Sequence, residues 1–233
     1  MTALVVGVLG CRSAETTPGA SVLAKGAETT IFASQTSLGA HVMRATVTRT
    51  PTSGGGATST ETLELHWKDA DHWSLVRTRD DRAVEDLRVF GGRAWSSHDG
   101  DWRDEGDAEP FRVMLSRTWD PWALAFEPVE ERLVATEVGA EVYAGRPARK
   151  HEVSYGPPPP PRRKRQKPRP GPWDPASASG TVWIDEGTAV RLGADVTVSA
   201  TINGAPTDVA LRFALDHVNG DVAVEPPTGV DRR

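Results

Sequence analysis

Hydrophobic and polar positions alternate along most of this chain, and that period of two is the signature of strands with one wet face. Leu63, Leu65 and Trp67 interleave with Thr62, Glu64 and His66. His41 to Thr50 is rich in Val and Thr and stops at Thr52-Ser53-Gly54-Gly55-Gly56, a turn composition. Asp69-Ala70-Asp71 predicts another turn, after which Trp73 to Arg77 runs back. Glu85 to Phe90, Arg93 to Ser96 and Trp102 read as three further short strands, separated by Gly91-Gly92 and by the Asp-Gly hairpin signal in His98-Asp99-Gly100-Asp101. Strand grammar returns at Arg132 to Thr136, Val138 to Tyr143 and Arg149 to Tyr155, with Gly145-Arg146-Pro147 as a turn. It ends with Gly180 to Asp185, Gly193 to Ile202 and Thr207 to Val218. Between the last two, Asn203-Gly204 is the strongest short hairpin signal, and it lets Val196, Val198, Ala200 and Ile202 face Val209, Leu211, Phe213 and Leu215.

Three segments break the alternation with helical spacing. Ser21 to Leu38 places Val22, Leu23, Ile31, Phe32 and Leu38 on one loose face and ends at Gly39. Pro110 fits an early helical position, with Phe111, Met114, Leu115 and Thr118 following at three- and four-residue steps. Asp120 caps a second short helix through Phe126, with Pro121 in its first turn and Pro128 as its stop. The order is helix, strands, two short helices, then many strands, with no fixed-period repeat. That predicts the α+β class, an antiparallel sheet packed on a few helices.

The ends and one internal stretch are different material. Residues 1–10 carry an eight-residue apolar run, ALVVGVLG, which reads as an export signal peptide, too short to span a bilayer, and it closes on Cys11, the single cysteine. A lone cysteine in an exported chain cannot form an internal disulfide and needs another role. Residues 11–20 are small and polar, as a tether would be. Met1-Thr2 supply no positive side chain ahead of the apolar run, which points to a start codon upstream. Gly156 to Pro175 holds five consecutive prolines and six basic residues, Arg162, Arg163, Lys164, Arg165, Lys167 and Arg169. Proline lacks the donor that a sheet needs, so 156–175 reads as an exposed polyproline insertion in one domain spanning 21–227, with 228–233 a tail. Removing those six charges takes the net charge from −5 to −11. So acidic a body repels phosphate backbones and argues against nucleic-acid binding.

Two resemblances follow from these residues. Val8-Leu9-Gly10-Cys11 resembles the lipobox of bacterial lipoproteins, which implies a diacylated Cys11 and an attachment to the membrane through lipid. The alternative is an apolar N-terminus with an incidental cysteine. The run Leu-x-Leu-x-Trp-Lys, Trp-x-Leu, Val-Phe-Gly-Gly-Arg-Ala-Trp and Gly-Asp-Trp between Thr62 and Trp102, with Gly-Thr-Val-Trp-Ile-Asp185 and Val190-Arg191-Leu192, resembles the lipoprotein-carrier fold of LolA, LolB, LppX and LprG. The resemblance runs from about Glu28 to Pro227. It implies a strongly curved antiparallel sheet, an incomplete β-barrel, wrapped over a few helices around an apolar cavity for acyl chains. It also implies an outer-membrane location facing the periplasm, with lipid or an acylated protein as ligand and no cofactor.

Catalytic patterns are lacking in the sequence: no Gly-x-Ser-x-Gly, no His-Glu-x-x-His, no phosphate loop after a strand and no paired cysteines. His66 and His72 flank a turn beside Asp69 and Asp71 and read as turn residues rather than metal ligands. Of the eight tryptophans, Trp67 and Trp95 fit core filling. Trp119 and Trp122, with Met114, Leu115 and Phe126, are placed on the helices at the expected mouth of the pocket, partly solvated. The basic run serves as a solvated spacer, as a contact for an anionic envelope surface at about 1 kcal/mol per basic residue near such a surface, or as a polyproline segment recognised by a partner domain.

Overall fold

Alternation sets up the strands, and four tight turns set their register. A computed structural model describes residues 37–156 and 173–230 apart from Gly54, Asp99, Pro128 and Gly229. Cys11, the helix expected from Ser21 as far as Thr36, the stop at Pro128, Asp99 of the hairpin signal and the arm from Pro157 to Pro172, with its six basic residues, lie outside the described residues. The strands are β1 (His41–Pro51), β2 (Ser59–Asp69), β3 (His72–Arg79), β4 (Arg82–Phe90), β5 (Arg93–His98), β6 (Asp101–Asp107), β7 (Leu133–Tyr143), β8 (Arg146–Tyr155), β9 (Trp173–Asp185), β10 (Arg191–Ile202) and β11 (Ala205–Asp216). Left-handed backbone at both central residues marks Asp80-Asp81, Gly91-Gly92, Ala144-Gly145 and Asn203-Gly204. Such turns match the twist of paired strands and so favour two-residue hairpins.

All eleven strands join one antiparallel sheet in the order β6-β5-β4-β3-β2-β1-β11-β10-β9-β8-β7. The chain runs outward from β1 to the β6 edge. It then crosses through α1 (Glu109–Thr118), α2 (Pro121–Phe126) and a 3-10 turn (Glu130–Arg132) to the opposite edge, and returns from β7 to β11. The seam between the two meanders is β1 against β11, with Val47 opposite Leu211. The edges β6 and β7 do not pair with each other, so the sheet is an open barrel wall rather than a closed one.

One face of that sheet is the core. Met43, Val47, Leu63, Leu65, Trp73, Leu75, Leu87, Val89, Val182, Val196, Val198, Val209 and Leu211 are buried on it, and α2 packs against β1 and β11. Each large apolar side chain buried this completely contributes about 1.5–3 kcal/mol, so the sheet face carries most of the stability and the two short helices carry less. Side chains from β1, β4 and β10 all reach the α1–α2 region, through Arg49, Glu85 and Arg191. Strands separated by half of the sheet's width therefore converge on the segment from Trp119 to Leu124, which requires the sheet to curve around it. Gly180 marks one bend: its φ is +140°, and a Cβ there would lie 2.2 Å from the Asp195 carbonyl oxygen.

Three expectations change at this level. β9 begins at Trp173, because Trp173, Asp174 and Pro175 pair with Ile202, Thr201 and Ala200; the strand therefore starts inside the segment expected to be insertion. The C-terminal hairpin has Val196 opposite Leu211 and Val198 opposite Val209 as expected, but Ala200 faces Thr207 and Phe213 faces Ala194. Trp95 does not fill the core: it is half-buried opposite Arg88, while its neighbours Ala94 and Ser96 take the inner positions opposite Val89 and Leu87. Beside it on that outer face, Arg88 lies 4.7 Å from the centroid of the Trp102 ring.

Candidate functional site

The concave face and the helical crossover that covers it form the candidate site. Asp120 starts α2 as expected. Its Oδ1 accepts hydrogen bonds from the backbone N–H of Trp122 at 2.9 Å and of Ala123 at 3.2 Å, and Pro121 occupies the first turn. This cap turns Trp122, Ala125 and Phe126 toward the sheet, where the Trp122 and Phe126 rings meet edge to face at 5.0 Å. Leu115 and Trp119 enter the same interior from α1 and its C-terminal end.

These positions correct the expected partly solvated mouth. Leu115, Trp119, Trp122 and Phe126 are all 2% exposed or less, while Met114 is 41% exposed on the outer side of α1. Four of the five residues are brought together as core, and Met114 is not among them. The reason is length: a six-residue helix has no room to offer one face to the sheet and another to a channel, so its apolar residues all pack inward.

Polar groups fasten the crossover to the sheet on its β1–β4 side. Trp119 Nε1 donates to Glu85 Oε2 at 2.9 Å, and the Arg49 guanidinium donates to the Leu124 carbonyl at 2.9 Å. Glu85 is 4.0 Å from Arg77, whose Nε donates to Glu61 at 2.5 Å; Arg79 reaches Glu61 at 3.5 Å. Glu61 is buried, and two arginines share it. The chain of charges from Glu61 to Trp119 is internally matched.

The β10 side is different. Arg191 opens β10 opposite Ile184 and points inward, only 4% exposed, with its guanidinium carbon 4.3 Å from the centroid of the Trp122 ring. Among the described residues it forms no ion pair, and its Nε has no hydrogen-bond partner; the neighbouring Trp122 Nε1 has none either. Burial pulls the Arg191 guanidinium below the ordinary arginine range, against the opposing pull of Asp120 and Glu130. On the other half of the sheet, in β3, Trp73 Nε1 is also buried without a partner among the described residues. Sequence reasoning does not single out Arg191. The signal available is a charge set between Val190 and Leu192 in an otherwise apolar strand start.

Elsewhere the sequence-level candidates resolve into local chemistry. His66 bonds to Glu64 at 2.9 Å, and His72 bonds to Asp69 at 2.8 Å. His41 is buried, its Nδ1 2.8 Å from the Gly39 carbonyl and its Nε2 unpartnered; burial lowers its pKa, with the Gly39 bond opposing. Asp185 accepts from Arg146 at 2.5 Å and caps the turn at Gly187 and Thr188. No cluster of three metal-ligating side chains occurs among the described residues, and no helix among them is long and apolar enough to cross a membrane. Among the described residues, depressions of the surface lie away from α2. One, about 170 Å³, sits between Asp71, Gly92 and Glu109; another, about 1210 Å³ and open, runs beside β6 against Thr228 and Val230.

No family model matches the chain, and no curated protein matches it. Solved structures that it is similar to include the Mycobacterium tuberculosis lipoprotein LppX, at 14% identity over 88% of this chain and 98% of that one, with a TM-score of 0.35. Another is LprF from Mycobacterium bovis, at 14% identity over 90% and 97% of the two chains, with a TM-score of 0.36. A LolA superfamily protein from Nitrosomonas europaea is similar at 7% identity over 88% and 94%, with a TM-score of 0.31.

Proposed function

We propose that this chain is a lipid-anchored protein of the cell envelope whose concave sheet face holds acyl chains, of a lipid or of an acylated protein, without transforming them. One observation carries the reading. A broad apolar sheet face in an unclosed wall is covered by a short helical crossover, held on one side by two hydrogen bonds, Trp119 to Glu85 and Arg49 to Leu124, and on the other side resting on an arginine whose Nε has no hydrogen-bond partner among the described residues. Lifting that cover exposes Leu115, Trp119, Trp122 and Phe126, and each acyl methylene that takes their place on the sheet returns about 0.8 kcal/mol. Cys11 would supply the two acyl chains that stable anchoring needs, and the six basic residues from Arg162 to Arg169 would add attraction to anionic headgroups of the envelope, with the outer membrane facing the periplasm as the site.

The second reading is a structural or interaction lipoprotein with a filled core that meets partners through its proline-rich basic arm. It is favoured by the near-complete burial of Leu115, Trp119, Trp122 and Phe126, which leaves those side chains packed as in an ordinary interior. Titration with a fluorescent acyl probe separates the two. Saturable uptake at about one probe per chain supports carriage; no uptake in either detergent-free or vesicle-containing buffer supports the filled core. Anchoring is tested independently by comparing the wild-type protein with Cys11→Ser: the first partitions with membrane, the second stays as unprocessed precursor, and equal partitioning removes the anchor.

A further inference from the structure

A buried cation that has given up its water normally has its donors met, by a carboxylate, a carbonyl or an ordered solvent molecule. The interior under α2 departs from that rule at two adjacent groups. Arg191 is 4% exposed with its Nε unmet, and the Trp122 indole that it stacks on, 2% exposed, has its own Nε1 unmet. The charged groups facing this pair are Asp120 and Glu130, and both act on Arg191 from a distance rather than through an ion pair. Asp120 is committed elsewhere, since its Oδ1 already holds the two leading N–H groups of α2. Around the pair, the wall is apolar: Ile184 lies opposite Arg191 across β9, and Val190 and Leu192 flank it in sequence, all buried.

We propose that Arg191 and Trp122 together receive the carboxylate head of a single-chain acyl ligand, a long-chain fatty acid, inside the concave face. The proposal rests on the acyl-chain reading above and adds the headgroup to it. A guanidinium offers a planar fork of donors that suits a carboxylate, and the indole N–H beside it offers one more, so one small anion can satisfy both unmet groups while its tail runs along the apolar sheet. A neutral ester or alcohol would supply acceptors without charge. It would leave the arginine's charge uncompensated, so the site discriminates by charge as well as by shape. The opposite side of the crossover has no such opening, because Arg77 and Arg79 already share Glu61.

The test is displacement of an uncharged fluorescent hydrophobic probe from the full chain by palmitate and by methyl palmitate, at neutral pH. On wild-type protein palmitate displaces the probe at a concentration about tenfold lower than the ester, the scale expected of one charge-assisted hydrogen-bonded contact. Arg191→Gln removes that difference by weakening palmitate alone, and Arg191→Lys keeps part of it. Trp122→Phe keeps an aromatic ring beside Arg191 but removes the indole N–H together with its five-membered ring; the lost packing falls on acid and ester alike, and the ratio of acid to ester displacement drops by a few-fold. Equal displacement by acid and ester on wild-type protein overturns the headgroup assignment and leaves acyl binding standing. A preference for the acid that survives unchanged in both Arg191→Gln and Trp122→Phe overturns it too, by placing the carboxylate elsewhere. Failure of the uncharged probe to bind at all overturns the acyl reading itself. Should Arg191→Gln not fold, the wild-type comparison and Trp122→Phe still decide.

Discussion

Two arginines face the interior from opposite halves of the sheet, and they are treated in opposite ways. Arg77, on β3, is 21% exposed and lies between Glu61 at 2.5 Å and Glu85 at 4.0 Å; Glu85 passes the contact on to Trp119. Arg191, on β10, is more deeply buried and has the face of an indole in place of a carboxylate. A buried pair that is matched locks an element in place, and removing either partner strands the other. A buried charge that is unmatched weakens the fold. The β1–β6 half therefore carries the fixed attachment of the crossover, and the β7–β11 half carries a buried charge with no ion pair among the described residues.

The largest effect that sharpens this contrast comes from the cover itself. Leu115→Asp puts a carboxylate where the side chain is fully buried, and it is expected to abolish cooperative unfolding or lower stability by more than about 4 kcal/mol. Met114→Asp, on the 41% exposed outer side of α1, is expected to stay within about 0.5 kcal/mol of wild type. Urea denaturation followed by tryptophan fluorescence measures both, and comparable losses in the two variants would erase the distinction between the inner and outer sides of the crossover.

Next comes the pair of arginines. Glu61→Gln strands Arg77 in a mostly buried position and is expected to cost about 3 kcal/mol, read as a lower urea midpoint at unchanged slope. Arg191→Met replaces an unmatched charge by an apolar side chain of similar length and is expected to leave stability unchanged or raise it by about 1 kcal/mol. If Arg191→Met destabilises as much as Glu61→Gln, then Arg191 is a structural ion like Arg77 and the two halves are alike.

The smallest effect is in pH. Burial lowers the folded-state pKa of His41 below its ordinary 6.5, so the unfolded chain takes up a proton there before the native one does. Its contribution is fully present above pH 6.5 and is lost as pH falls from there toward the folded value. The thermal midpoint should decline as pH falls below 6.5, and His41→Asn should flatten that slope. At more acidic pH, Asp185 adds a second decline. Burial raises its carboxyl, but the bonds from Arg146 and Thr188 outweigh that and hold it below 3.8, so stability present above that value is lost as pH falls through the lowered one. An unfolding midpoint that rises on acidification across the first window would contradict the His41 assignment.

Much of this sheet is legible from local rules. Asn203-Gly204 and Gly91-Gly92 announce their hairpins because only a few residue types tolerate left-handed backbone, and Asp120-Pro121 announces α2 because a cap and a proline suit a helix start. What alternation does not supply is parity. It places Ala94 and Trp95 on opposite faces but is silent on which is inner, and size favours Trp95, whereas the pairing of Ala94 with Val89 puts the alanine inside. The seam of β1 with β11 is likewise invisible to local grammar, because it joins residues some 170 positions apart, such as Arg44 and Asp216. The candidate site is less legible than the fold. Leu115, Trp119, Trp122 and Phe126 are placed on the right elements, but with the wrong exposure. Arg191, the residue that gives the interior its polarity, is one charge in a strand that otherwise reads as core.

The account's central claim is that the concave face holds acyl chains, and native mass spectrometry of the protein taken from membranes in mild detergent tests it most directly. The account predicts a second population, heavier than the lipidated chain by the mass of one acyl ligand, which collapses to the lighter species on delipidation and returns when fatty acid is added back. A single species at the mass of the lipidated chain alone, unchanged by added fatty acid, would contradict it and leave the filled core as the reading of this fold.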